Sequence, residues 1–283
     1  MRIGIITCEI LRREIKDVIE KTGYSKLFFP LLETRDLVMS ILHRKTNSRF
    51  IEELKNIKSK LGARIEIKER SFERTEKEIR ENNIADCVII KVNAQGMHFR
   101  PAKLLAEIEN DIKKMSRVVD FILLGYGLCG NTVENVERLI ADADVPVVIS
   151  REEGVILNNS IEIALGRKRV QSLLHVEGGT YFLTPAGASA IKDTQLIPES
   201  DGILGEGKGI DVSRIIKLFK NRYRRVIKIC YSEADEKKDC EFSKIVENFA
   251  NTFGLEIKTE RGSSKLVLDA LQRGFDSVHE PKR

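Results

Sequence analysis

The run Phe121-Ile122-Leu123-Leu124-Gly125-Tyr126-Gly127-Leu128-Cys129-Gly130-Asn131 passes from four apolar residues into a loop built on three glycines. A short apolar run closed by a turn signal is the trace of a strand buried on both faces of a parallel sheet. Runs of the same kind recur at 3–7, 87–92, 145–149, 226–231 and 255–259. Apolar residues at helical spacing separate several of them. Ile10, Ile15, Val18 and Ile19 follow the first run, and Leu104, Leu105, Ile108, Ile112 and Met115 precede Phe121. Phe242, Ile245, Val246, Phe249 and Phe253 come later, with Gly254 placed to stop that helix. Strands alternating with helices specify an α/β protein with a mainly parallel sheet.

The pattern divides into two Rossmann-like lobes, an N-terminal one over 1–178 and a C-terminal one over 179–283. Residues 24–83 stand apart, rich in Lys, Arg and Glu, with Leu37, Ile41, Leu42, Ile51, Leu54, Ile57 and Leu61 at helical spacing. They read as an added, largely helical insertion with a strand near 63–68, and as a surface for a protein partner. Glycine and proline crowd 185–212, which reads as a connection within the C-terminal lobe.

At 283 residues, 42% of them hydrophobic and 32% charged, the chain is long enough to bury a core without disulfides. It has no apolar stretch of the ~20 residues that a membrane span needs. The first apolar run is short and soon followed by Glu9, Arg12 and Arg13, unlike a secretory signal, so a cytoplasmic protein is expected. The net charge of +5 is spread along the chain, which does not point to nucleic acid. One basic cluster, Lys217, Lys220, Arg222, Arg224, Arg225 and Lys228, reads as a solvated helix end. The five cysteines, at 8, 87, 129, 230 and 240, form no C-x-x-C pair, so reduced thiols are expected rather than a disulfide framework or a zinc ribbon.

Parallel sheets bind ligands outside the carboxyl ends of their strands, and glycine lets backbone approach a ligand closely. The loop of Gly125, Tyr126, Gly127, Gly130 and Asn131 would therefore be a binding element, and Cys129 would be presented in it. Cys8 ends the first strand just before helical residues, where a helix dipole favours thiolate. Cys8 reads equally as a small core hydrophobe, and Cys129 less so because its glycine context argues for an exposed loop. His98 and Arg100 lie in Met97-His98-Phe99-Arg100-Pro101, between a buried run and a helix opened by Pro101. His98 could ligate a metal, move a proton or simply pack; Arg100 could grip a carboxylate or phosphate. His43, His175 and His279 read as surface residues.

Several of these segments resemble a family of mainly archaeal and anaerobic bacterial proteins known as the domain of unknown function numbered 1638. Leu123 to Asn131 resembles its Leu-Gly-Tyr-Gly-Leu-Cys-Gly-Asn motif nearly letter for letter. Cys8 to Glu14 resembles its Cys-Gly-x-Leu-x-x-Glu opening, and Met97 to Pro101 its Leu-His-Asn-x-Pro. Gly179 to Pro185 resembles a Gly-Thr-Tyr-Tyr-Leu-Thr-Pro segment. The resemblance implies a metal site, with Cys8, His98 and Cys129 as ligands, and a corrinoid or other tetrapyrrole context, because family members often accompany corrinoid-dependent methyl transfer in methanogens and acetogens. The family's later His-Asp-Cys motif falls at Asn158, Asn159 and Ser160, which cannot supply those ligands.

Three functions follow as expectations. The first is binding of a transition metal or metal-containing cofactor by Cys8, His98 and Cys129. The second is an enzyme with Cys129 as nucleophile or redox thiol and His98 as base, acting on a small anion held by Arg100. The third is a non-catalytic protein with a degenerate metal site that docks a partner through 24–83.

Overall fold

The computed structural model describes residues 1–31, 37–55, 57, 65–93, 100–176, 178–193, 217 and 219–279. It is an α/β protein of two compact units, Met1–Ala164 with Ser264–Arg283, and Leu165–Ser263. The first unit ends before the expected division at 178, and the last helix returns to it.

The first unit is built on a six-stranded, wholly parallel sheet. Its strands are β1 (Arg2–Cys8), β2 (Lys26–Pro30), β3 (Glu66–Arg70), β4 (Cys87–Asn93), β5 (Phe121–Gly125) and β6 (Val147–Ile149), in the order β3-β2-β4-β1-β5-β6. Helices α1 (Arg12–Thr22), α2 (Leu37–Leu54), α3 (Phe72–Glu81), α4 (Pro101–Met115) and α5 (Val133–Ala141) make the crossovers. A short β7–β8 hairpin (Arg151–Glu152, Val155–Ile156) and α6 (Ser160–Leu165) follow β6.

β1 lies at the centre, in register with β4 from Arg2↔Cys87 to Cys8↔Asn93 and with β5 from Ile3↔Phe121 to Thr7↔Gly125. Every residue of β4 and β5 is buried, as their apolar runs require. The two faces of the sheet are covered by different helices. A Cβ placed on Gly4 would touch Met115 of α4, whereas one on Gly125 would touch Ile15 of α1. Residues 4, 6 and 8 of β1 and residues 89, 91 and 93 of β4 therefore share the α4 face.

The 24–83 region carries the expected helices and, as β3, the strand expected near 63–68, but β2 and β3 make it part of the main sheet rather than an added insertion. β2 is buried through Leu27, Phe28 and Phe29. β3 is the edge strand, with the sequence Glu-Ile-Lys-Glu-Arg, and charged side chains of this kind keep an edge from pairing with other chains.

The second unit is a three-stranded parallel sheet in the order β11-β10-β9, from β9 (Thr180–Leu183), β10 (Arg225–Cys230) and β11 (Glu256–Arg261). It carries α7 (Arg167–Val176), α8 (Pro185–Asp193), a short α9 (Glu233–Glu236) and α10 (Glu241–Phe253). Gly254 closes α10 with φ of 66°, as expected. The start of the expected glycine- and proline-rich connection is helix α8, in which Thr184 Oγ1 accepts the Gly187 N–H at 3.0 Å. The rest of that connection lies outside the described residues. A ring cluster of Tyr181, Phe219, Tyr223, Phe249 and Phe253 packs on this sheet. Arg225 and Lys228 correct the solvated reading of the basic cluster, since both are buried strand residues. The final helix, α11 (Lys265–His279), belongs to the first unit, where Gly274 lies against Phe121. Among the described residues no helix is long and apolar enough to cross a membrane.

Candidate functional site

Three strands of the first unit end side by side, and the loops after β1 and β5 meet there. Leu128 N–H donates to Leu157 O and Cys129 N–H to Asn158 O, both at 2.8 Å, so the glycine loop is stitched to the segment ahead of α6. This close approach explains Gly127: a Cβ there would lie 2.6 Å from Leu157 O and from Asn159 N. Gly130, with φ of 86°, turns the chain past Pro101 at the start of α4. Asn131 folds back on the loop, donating from its side chain to Leu128 O at 3.2 Å.

Cys129 itself has φ of 48°, a left-handed conformation that costs an ordinary side chain on the order of 1 kcal/mol. It is partly exposed and lines a cavity of about 360 Å³ with Ile10, Gly130, Asn158, Asn159 and Ser160. Cys8 is buried at the end of β1, 1% exposed. Burial, then the neighbouring Cys129 thiol, pushes Cys8 up to about 12. The backbone N–H groups of Ile10 and Leu11 pull the other way and lose. Burial likewise holds Cys129 at about 11. The helix-end stabilisation of a Cys8 thiolate is therefore outweighed, and both groups are neutral thiols at neutral pH.

Tyr126 packs beneath the loop, 2% exposed. Burial and then Cys8 raise its phenol well above the usual range, against an interaction with Asn93 that lowers it. Glu9, next to Cys8, is buried between Arg12 and Arg49, so its charge is matched.

Asn158, Asn159 and Ser160, which stand at the family's His-Asp-Cys positions, form the entry to a helix. Asn158 N–H and Nδ2 donate to the two oxygens of buried Glu162, at 2.7 and 2.8 Å. Asn159 Oδ1 accepts the N–H groups of Ile161 and Glu162, at 3.0 and 3.1 Å. The segment thus caps α6 with its side chains while its backbone carbonyls hold the glycine loop.

His98 lies outside the described residues. Arg100 is exposed just ahead of α4. Among the described residues no three His, Cys, Asp or Glu side chains gather in a metal-binding arrangement. His43, expected at the surface, is buried instead, with its Nε2 3.0 Å from Pro30 O. Burial, then Lys91, lowers it to about 4. His175 and His279 are exposed, as expected.

The sequence reading passed over Lys91 and Asp111. Lys91 sits within the buried run of β4 on the same face as Asn93, and Asp111 faces it from α4; each is 6% exposed. The signal was present, since a lysine and an asparagine two apart in a central strand must both point into one protein face. A family model described as "Protein of unknown function (DUF1638)" matches residues 93–271, a span that includes Cys129 but not Cys8. No curated protein and no solved structure matches the chain.

Proposed function

The chain belongs to the DUF1638 family, and from that premise we propose that its carboxyl-edge crevice binds a soft transition-metal ion, free or within a cofactor, through Cys8 and Cys129. The observation that carries this reading is that adjacent strands β1 and β5 end side by side, bringing Cys8 and the loop that holds Cys129 to one edge of the sheet. Left-handed backbone at Cys129 adds to it, because strain of this kind is kept where a side chain must be aimed. Two sulfurs suit a soft ion and leave coordination positions open, whereas a closed structural site needs four ligands. His98 is the further ligand we assign. A corrinoid or other tetrapyrrole remains the cofactor class that the family resemblance suggests.

Binding requires both thiols to lose protons that burial holds tightly, so affinity rises steeply with pH. The same burial disfavours Cys129 as a nucleophile, since attack needs the thiolate. Five free cysteines suit a reducing compartment, in line with a cytoplasmic protein.

The test is elemental analysis of chain purified without oxygen or chelators. Near-stoichiometric metal that is absent from Cys8→Ser and Cys129→Ser supports the site. Metal-free protein that takes up no added zinc, cobalt, nickel or iron overturns it.

A further inference from the structure

A second cavity, of about 220 Å³, opens between the end of β2 and helix α4, lined by Pro30, Phe72, Lys91, Asp111, Lys114 and Met115 among others. Its lining brings together a lysine and a buried carboxylate that make no ion pair with each other. Among the described residues Asp111 Oδ2 and its neighbour Asn93 Nδ2 are buried without a hydrogen-bond partner, and no ion pair joins Lys91 to Asp111. Their charges still feel one another, for Lys91 opposes the rise that burial imposes on the Asp111 carboxyl.

Buried strand cations elsewhere in the chain are handled differently. Arg225 donates to Thr180 Oγ1 at 2.8 Å and to Leu173 O at 2.6 Å, and Lys228 donates to Ser243 Oγ at 2.5 Å. An unpaired buried charge is expensive, and a fold that needed only stability would have closed the gap or filled it with apolar atoms. The gap is instead a space large enough for several waters, on the α4 face of the sheet beside the end of β2.

What fills the gap best presents an acceptor to Lys91 and a donor to Asp111. Two lysines, Lys91 and Lys114, and two acids, Asp111 and Glu107, line the cavity, so its charge is balanced and favours a ligand with no net charge. Phe72, Pro30 and Met115 supply an apolar wall. We propose that this cavity binds a small α-amino acid, its carboxylate on Lys91 and its ammonium on Asp111.

Equilibrium dialysis with glycine, L-alanine and L-serine tests this, with acetate and methylamine as ligands that carry one group only. Saturable binding of at least one amino acid is expected, at least tenfold tighter than either control. Lys91→Met and Asp111→Asn should each weaken it at least tenfold while circular dichroism reports a folded chain. Asn110→Trp fills the mouth from an exposed position on α4 and leaves both charges in place; it should abolish binding even if Lys91→Met fails to fold. Absence of saturable binding, equal binding of the one-group controls, or binding that survives Asp111→Asn and Asn110→Trp overturns the proposal and leaves a cavity that holds water alone.

Discussion

Asp111→Asn should make the protein more stable at neutral and alkaline pH, by an amount set by the burial of one carboxylate. Burial raises the Asp111 carboxyl from its ordinary 3.8 to about 6, against Lys91, which lowers it. A carboxyl with a raised folded value binds its proton more tightly in the native state. The native state therefore carries no penalty below pH 3.8, and the penalty grows as pH rises through about 6. A shift of about two units at ~1.36 kcal/mol each amounts to about 3 kcal/mol above that window. Asparagine keeps the shape and removes the ionisation. Urea unfolding of wild type and Asp111→Asn from pH 3.5 to 8, followed by circular dichroism, should give equal stability at the acid end and a gain approaching about 3 kcal/mol at pH 8. His43 runs the other way: its folded value is lowered from 6.5 to about 4, so its stability is present above 6.5 and is lost as pH falls through 4. The two effects oppose each other in the wild type, and only the difference between the chains isolates Asp111. A difference that does not change with pH, or a variant less stable at pH 8, would refute the reasoning.

Gly127→Ala should lower stability by at least about 2 kcal/mol, because the new methyl meets the backbone of Leu157 and Asn159 and neither can move without opening the crevice. An unchanged Tm in the alanine variant would mean that the loop does not lie against that segment. Cys129 should alkylate with iodoacetamide at pH 8 on the order of 100-fold more slowly in the native chain than in urea, since a value of about 11 instead of 9.0 leaves that much less thiolate. Reaction at the unfolded rate would show the thiol to be solvated and would reopen the nucleophile reading.

Much of both sheets was legible because burial on both faces leaves a mainly apolar run, and β1, β4 and β5 of the first sheet and β10 of the second follow that rule. β3 left a weaker trace, read only as a strand near 63–68 within a largely helical segment, for the opposite reason. An edge strand needs few apolar residues, and Lys68 there is held by Glu66 and Glu78, at 2.8 and 2.5 Å, rather than by a core. Of the site, the approach of Cys8 and Cys129 could be read from two strands ending in parallel. Their protonation could not: the helix end and the burial act in opposite senses, and only the packing around Cys8 shows that burial is the larger. His43 was misread because its neighbours Arg44 and Lys45 are exposed, and a helix buries single positions independently of adjacent charge.

Lys91 and Asp111 give the stability prediction and the ligand proposal a common cause. If the carboxylate were held only to satisfy Lys91, its removal would leave a buried ammonium with no counter-charge, and Asp111→Asn would destabilise the chain at every pH where lysine is charged. The separation between them argues against that. At a distance where the attraction offsets only part of the burial penalty, as the raised Asp111 value shows, the pair costs more than it returns. A ligand that fills the gap reverses the balance, since each charge then gains a partner without moving. Added amino acid should therefore stabilise the wild type in proportion to its occupancy and leave Asp111→Asn unaffected, so the variant that is more stable alone is the one that no longer responds.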